Sequence, residues 1–518
     1  MFQSPNCPSF RTALTAGIIV SLAVCGGAAA QDAGVFGERV PGAYDGELKA
    51  FEAHALSQEL LAAEDLHKGR PVGFEIELDQ AEAERLANAP TSSGRLLVGL
   101  TKKVGAAVAF TGRERFAKAA RAHANGLLRV SSDGFFWSTT VHAKGATATR
   151  LHFTEVALPD GVELFIYSTA GEAFGPYTGK GVLGTGDFWS HTVIGPEVRI
   201  QLRFAGEQVA RVLAATRLQL AEVVYQGPKY LPAQFLRPEL FSEESGFGTK
   251  AFCSFNASCV QNASCSSLPG SVQSARDAVA HYAFVSGGSS FICSGGLVND
   301  TDNSTFIPYF LTANHCVNTA AEVGSIEAFF QFSTPCGGAC FNPRGSVPRV
   351  LGATLLAGSS ATDFTLTRLN GNAPGGSFLL GWSPTAVAFS NNTQLNRISH
   401  PRGAPQAFSQ QRVTTSGVSC TTLPRGNFIY SKDTFGATEG GSSGSPILNT
   451  SGQIVGQLFG ACGTNLGNVC DAVNNSTVDG AFASYFSQVE PFLDPSSGPD
   501  PNSCEDQCGG QAPGGCWC

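Results

Sequence analysis

Residues 439–448 read EGGSSGSPIL, and how this stretch is read decides the fold. Ser443 stands among small residues, where the backbone can turn tightly enough for neighbouring N–H groups to converge on one point. Pro446 then opens the run PILNTSGQIVGQLF, two apolar segments about a turn, which reads as a buried hairpin. Ser443 therefore leads into a β-hairpin. It does not sit at a sharp turn from strand into helix, and a flexible linker would not run straight into such a segment.

Two motifs upstream complement it. FLTANHCV (310–317) offers His315, and SATDFTLTRL (360–369) offers Asp363 at the mouth of a β-type run. Taken singly, each has an ordinary reading: a surface histidine, a turn aspartate, a Gly/Ser string. Together they supply what acyl transfer by serine needs, namely a hydroxyl, a base to take its proton, a carboxylate to orient the base, and paired N–H donors for the oxyanion. The order His, Asp, Ser is that of chymotrypsin-type proteases; other serine hydrolases use other orders. Cys293 lies 23 residues before Cys316, so a bridge between them would close a loop ending beside His315. Such a crosslink is worth about 2–4 kcal/mol.

The rest of the chain frames this segment. At 518 residues it is too long for one core. A net charge of −8 with no basic cluster gives no reason to expect nucleic acid or an anionic membrane as a partner. Arg11 precedes the apolar run ALTAGIIVSLAVCGGAAA, which closes on Ala28 and Ala30. That pattern predicts a cleaved export signal over residues 1–30 and a secreted product, by a bacterial type of export, free of the membrane once the signal is gone. Of 16 cysteines, none falls between 26 and 252, ten fall between Cys253 and Cys470, and four between Cys504 and Cys518. In an exported chain this predicts disulfides; no C-x-x-C pair with matching histidines suggests a metal.

Composition also breaks near residue 250. Nine lysines precede the break, and Lys432 is the only one after it. The first part (31–250) has helical spacing over 48–69 and a β-sandwich texture from about 125 to 205, and we expect it to be a propeptide that assists folding and blocks the cleft. Residues 251 to about 495 read as all-β, many short strands fitting a sandwich or barrels, with one final helix near AFASYFSQVEPFL. A linker (496–503) leads to the tail CEDQCGGQAPGGCWC, which resembles the opening of somatomedin-B-like modules.

Residues 251 to about 495 resemble the bacterial lysyl endopeptidase group of chymotrypsin-like serine proteases, through CSGGLVND, YFLTANHC, DFTLTRLN, SHPRG, EGGSSGSPI, GQLFG and FLDP, in that order. The resemblance implies two six-stranded antiparallel β-barrels with the site in the cleft between them. It implies His315, Asp363 and Ser443 as a catalytic triad, with the Gly441 and Ser443 N–H groups as the oxyanion hole. It also implies Cys253–Cys470, Cys293–Cys316, and Cys259 paired with Cys336 or Cys340, leaving Cys265, Cys420 and Cys462 open. The activity so implied is a secreted serine endopeptidase, acting on proteins or peptides as a monomer, with no metal or other cofactor. Its rivals are a protease of this fold with another pocket preference and a silent binding protein.

The sequence departs from the family at the pocket. Thr477 stands where the family has the acid that receives lysine, Asp479 is shifted by two residues (about 7 Å along a strand) and Phe459 replaces a histidine. Ser442 occupies the place of the aspartate that pairs with a freed N-terminus in pancreatic enzymes. Low lysine content after 250, and Lys250 just before Ala251, favour cleavage after basic residues.

Overall fold

The computed structural model describes residues 34–495, except 67–72, 90–93, 111, 115–119, 228–252, 254, 303, 338–346 and 418–419. The expected signal, the Lys250–Ala251 junction, Cys340, the linker and the C-terminal tail all lie outside the described residues.

The protease-like region forms two barrels. In the first, antiparallel pairing runs from Arg349–Leu351 through Glu327–Phe329, Val279–Ser286, Ser289–Val298, Tyr309–Ala313 and Phe364–Leu369 to Ala353–Ser359. The two ends of that order are joined through Gly352, whose φ of +69° turns the chain directly from one edge strand into the other. The second barrel closes fully, because Ala407–Val413 pairs both with Gln394–Ser399 and with Phe428–Phe435. Between them run Pro446–Leu448, Ile454–Gly463 and Asn475–Ala481, making six strands. The helix Phe482–Leu493 packs Phe482, Tyr485, Val489 and Leu493 into the core shared with Trp382 and Phe364, so the final apolar stretch clamps both barrels.

In the N-terminal region the short strand Glu38–Arg39 is followed by the helix Gly46–Leu66, close to the 48–69 expected. Its two sheets face each other across a core that includes Trp137, Ile200, Phe153 and Val223. The β-rich part is wider than 125–205, because Leu96–Ala109 and Arg217–Gln226 supply two long paired strands of one sheet. The alternation of the first is masked in the sequence by Lys102 and Lys103, which interrupt its apolar pattern.

That same strand continues into the first barrel. Leu96–Leu100 pairs with Ser289–Ile292, so one sheet crosses from the sandwich into the protease-like region. A buried polar network reinforces the junction. Arg150 donates to the carbonyls of Ser190 and Ser325 (both 2.6 Å), while Glu327, fully buried, accepts from the Thr192 N–H (3.1 Å). Buried charges hold only with such partners. A second contact is the strap at 34–40. The Trp382 N–H donates to Val35 O (3.0 Å), the Val40 N–H to Ser377 O (2.9 Å), and Asn299 Nδ2 to Phe36 O (3.0 Å).

Cysteine pairing departs from the family's expected pattern by one cysteine. Cys259, not Cys253, bridges Cys470, and Cys265, not Cys259, bridges Cys336. Cys253 is wholly buried in a cluster with Leu96, Phe329 and Phe332, whereas Cys470 is exposed and its partner Cys259 is part-exposed. Cys253 is itself disulfide-bonded. Cys265 ends a short turn whose Asn262 side chain binds the carbonyls of Thr334 and Pro335, which brings Cys336 within reach. Cys293 pairs with Cys316, and Cys420 with Cys462.

Candidate active site

Register alone brings two of the three motifs together. Tyr309–Ala313 pairs antiparallel with Phe364–Leu369, with Ala313 opposite Phe364. One step outward, the Asn314 N–H donates to Asp363 O (2.9 Å). The next residue is His315, and both of its donors on this side meet the carboxylate: the backbone N–H reaches Oδ1 (2.8 Å) and Nδ1 lies 2.8 Å from Oδ2. Asp363 is buried and holds a φ of +56°, a conformation that aspartate tolerates better than most residues. Gln457 fixes the turn by donating to Asp363 O (3.0 Å).

With Nδ1 carrying its proton toward Asp363, the neutral imidazole presents the Nε2 lone pair. Nε2 is buried and has no hydrogen-bond partner among the described residues. The ring stands edge-on to Phe459, centroids 5.7 Å apart. Phe459 is the extra residue of a bulge, since Leu458 pairs with Asp479 and Gly460 with Val478. The bulge turns Phe459 toward His315 and Phe428 and out of the pocket wall.

The serine turn seats against the strand that ends at this histidine. Gly444 has a φ of +82°, and a Cβ there would stand 2.1 Å from Thr312 Oγ1 and 2.5 Å from Ser294 O. Only glycine permits so close an approach. Ser443 O accepts from the Ser294 N–H (2.8 Å), and Ser294 Oγ donates to Gly441 O (2.9 Å). The buried Ser442 takes a bond from Ser399 Oγ (3.1 Å), so an uncharged contact fills the place where pancreatic enzymes keep an aspartate.

Gly94, from the N-terminal region, occupies the space between these groups. The Gly441 N–H points at Gly94 O (3.5 Å), and a Cβ on Gly94 would lie 3.9 Å from His315 Cδ2. Pairing of Leu96 with Ile292 places it there, two residues from the start of the shared sheet.

Ser443 and Gly94 also border a cavity of about 210 Å³ that runs between 438–440 and 458–461 to Ser476, Thr477 and Asp433. Of the expected pocket residues, only Thr477 lines it. Asp479 is two residues further into the barrel, fully buried, and pairs with the equally buried Arg397, whose Nη1 donates to Ser445 O (2.9 Å). The acid that sequence reasoning singled out is therefore a support beneath the serine turn. The residue it missed is Asp433, on Phe428–Phe435, which accepts from Thr477 Oγ1 (3.1 Å) and is pushed up to about 6 by burial. Its only signal was an acid at alternation distance within a strand that leads directly into the serine motif.

Residues 249–476 match the lysyl endopeptidase C-terminal domain family. A lysyl endopeptidase of Pseudomonas aeruginosa is 28% identical over 362 residues, 67% of this chain and 72% of its own length. A secreted RxLR effector protein of Plasmopara viticola is 28% identical over 36% of this chain and 46% of its own length. Among solved structures, a Mycobacterium tuberculosis protease in its active form shares 14% identity, covering 43% of this chain and 83% of its own, with a TM-score of 0.29. A Yersinia pestis serine endoprotease shares 18%, covering 42% and 63%, with a TM-score of 0.29. The two lysyl endopeptidase matches support a serine protease.

Proposed function

We propose that this protein is a secreted serine endopeptidase that hydrolyses peptide bonds through an acyl-enzyme, with a preference for basic residues before the cut. The observation that carries the reading is the His315–Asp363 pair with Nε2 left without a partner among the described residues, together with a Gly441 N–H on the serine turn that already holds a peptide carbonyl.

In this reading Ser443 Oγ attacks the carbonyl carbon while His315 Nε2 takes its proton. Asp363 holds the ring in the tautomer that leaves Nε2 open and stabilises the imidazolium that forms. The N–H groups of Gly441 and Ser443 receive the oxyanion. His315 then protonates the leaving amine, and water repeats the sequence to release the acid.

Residues 31–250 act as a propeptide. Two contacts support this: Gly94 O at the Gly441 N–H, where a scissile carbonyl would lie, and a sheet that crosses into the first barrel. Removal near Lys250–Ala251 frees a monomeric enzyme, with the tail at 504–518 as a small appendage. Ser443→Ala tests the proposal. Turnover should drop by about a millionfold, as when a triad serine is removed elsewhere, and the variant should be secreted unprocessed. Normal maturation and turnover in that variant would refute it, and active enzyme with an N-terminus near residue 31 would end the propeptide assignment.

A further inference from the structure

The cavity beside Ser443 is lined by three carboxylates, Asp433, Glu439 and Asp471, and by no lysine or arginine among its lining residues. Two of the three are already engaged in other roles. Glu439 accepts from Asn256 Nδ2 (2.7 Å) and the Ala257 N–H (3.2 Å) and so anchors the start of the protease-like region. Asp471, on an exposed turn, accepts from Asn465 Nδ2 (2.7 Å) and Asn474 Nδ2 (2.8 Å). Asp433 differs in place: it lies within the barrel strand Phe428–Phe435, beside Thr477, and bonds the side chains of Thr477 and Gln411. The nearby cation that could neutralise it, Arg397, is committed to Asp479. A part-buried carboxylate without an ion-pair partner among the described residues, open to a cavity that Ser443 also borders, is a site for a cation.

Resting on the endopeptidase reading, we propose that Asp433 is the specificity-determining acid, receiving the ammonium or guanidinium of the substrate residue before the cut. Thr477, where the family's acid would stand, serves as its hydrogen-bond donor. The acid has moved to the neighbouring strand: Ser431 pairs with Thr477, so Asp433 and Thr477 stand on adjacent strands and point into one space. Burial pushes Asp433 up to about 6, which leaves it charged at neutral pH. A long cationic side chain whose carbonyl lies at Ser443 enters the cavity that Asp433 lines. This accounts for basic preference without Asp479 and without a histidine at 459.

The test uses the secreted, processed enzyme and a peptide library, scoring kcat/KM for P1 Lys and Arg against P1 Ala and Leu in each variant. The ratio is internally normalised, so partial loss of fold does not mimic a loss of preference. Wild type should favour basic P1. Asp433→Asn should lower the basic-to-neutral ratio by a hundredfold or more, since the variant keeps the shape and removes the charge. The exchange Asp433→Ser with Thr477→Asp, which returns the acid to the family's position, should restore at least tenfold of it. An unchanged ratio in Asp433→Asn, or a wild type that prefers neutral or acidic P1, would overturn the assignment while leaving the endopeptidase reading intact. A wild type that cleaves no peptide at all would instead refute that reading, and this inference with it.

Discussion

Asp363→Asn probes the most constrained point of the site. Two N–H groups converge on the carboxylate, the His315 backbone N–H on Oδ1 and the ring Nδ1–H on Oδ2, each at 2.8 Å. A carboxylate accepts both, but a carboxamide has one oxygen and one NH2 group. If its oxygen stays with the backbone, the NH2 faces Nδ1 and forces the ring proton onto Nε2, the atom that must accept from the serine. The alternative orientation leaves two donors facing each other beneath the loop. In the well-studied triad the same change costs about 10⁴ in kcat, and at 1.36 kcal/mol per decade that is roughly 5.4 kcal/mol of barrier. Asparagine tolerates the φ of +56° and nearly matches the volume, so the fold should survive with a loss of about 1–3 kcal/mol from the unsatisfied donor. Steady-state kinetics on a preferred peptide, paired with thermal unfolding, reads both quantities. A kcat within tenfold of wild type, with the fold intact, would show that Asp363 does not set the tautomer.

The same contacts lead to three further outcomes. Gly444→Ala, with a Cβ placed 2.1 Å from Thr312 Oγ1 at a positive φ, should cost roughly 2–5 kcal/mol in urea unfolding and abolish turnover by lifting the serine turn off its strand. Arg397→Met should destabilise by roughly 3–5 kcal/mol because it strands the buried Asp479 carboxylate, and adding Asp479→Leu should recover most of that loss. Asp433 is ionised above about pH 6 and neutral below it, so cleavage after Lys relative to Ala should fall as pH drops through 6 and hold level above 7; a flat ratio across that range would remove Asp433 from recognition.

The sequence was most legible where the chemistry is local. LTANHC, TDFTLT and EGGSSGSP each place a functional group at the end of a short β-type run, and the antiparallel pairing of Ala313 with Phe364 then juxtaposes His315 and Asp363. The final helix was legible for the same reason, since its apolar positions and its packing face lie within one segment. What eluded the sequence depends on which strand becomes a neighbour. Asp433 reaches the pocket only because Phe428–Phe435 pairs with Asn475–Ala481, and Asp479 leaves it because Arg397, 82 positions away in the chain, waits in the barrel core. Likewise the bridges at Cys259 and Cys265 accompany a difference in burial: Cys253 lies in the core with Phe329 and Phe332, while Cys259, part-exposed, meets the exposed Cys470. Gly94 at the cleft results from a sheet that crosses two regions of unlike composition, which no local pattern encodes.

The most direct measurement is fluorophosphonate labelling of the processed protein, with the modified residue located by peptide mass spectrometry, in wild type and in His315→Ala. Attack by a hydroxyl whose proton passes to Nε2 requires a single adduct on Ser443 and its near-complete loss when the imidazole is removed. An unlabelled wild type, an adduct on another serine, or labelling of Ser443 at full rate without His315 would contradict the account.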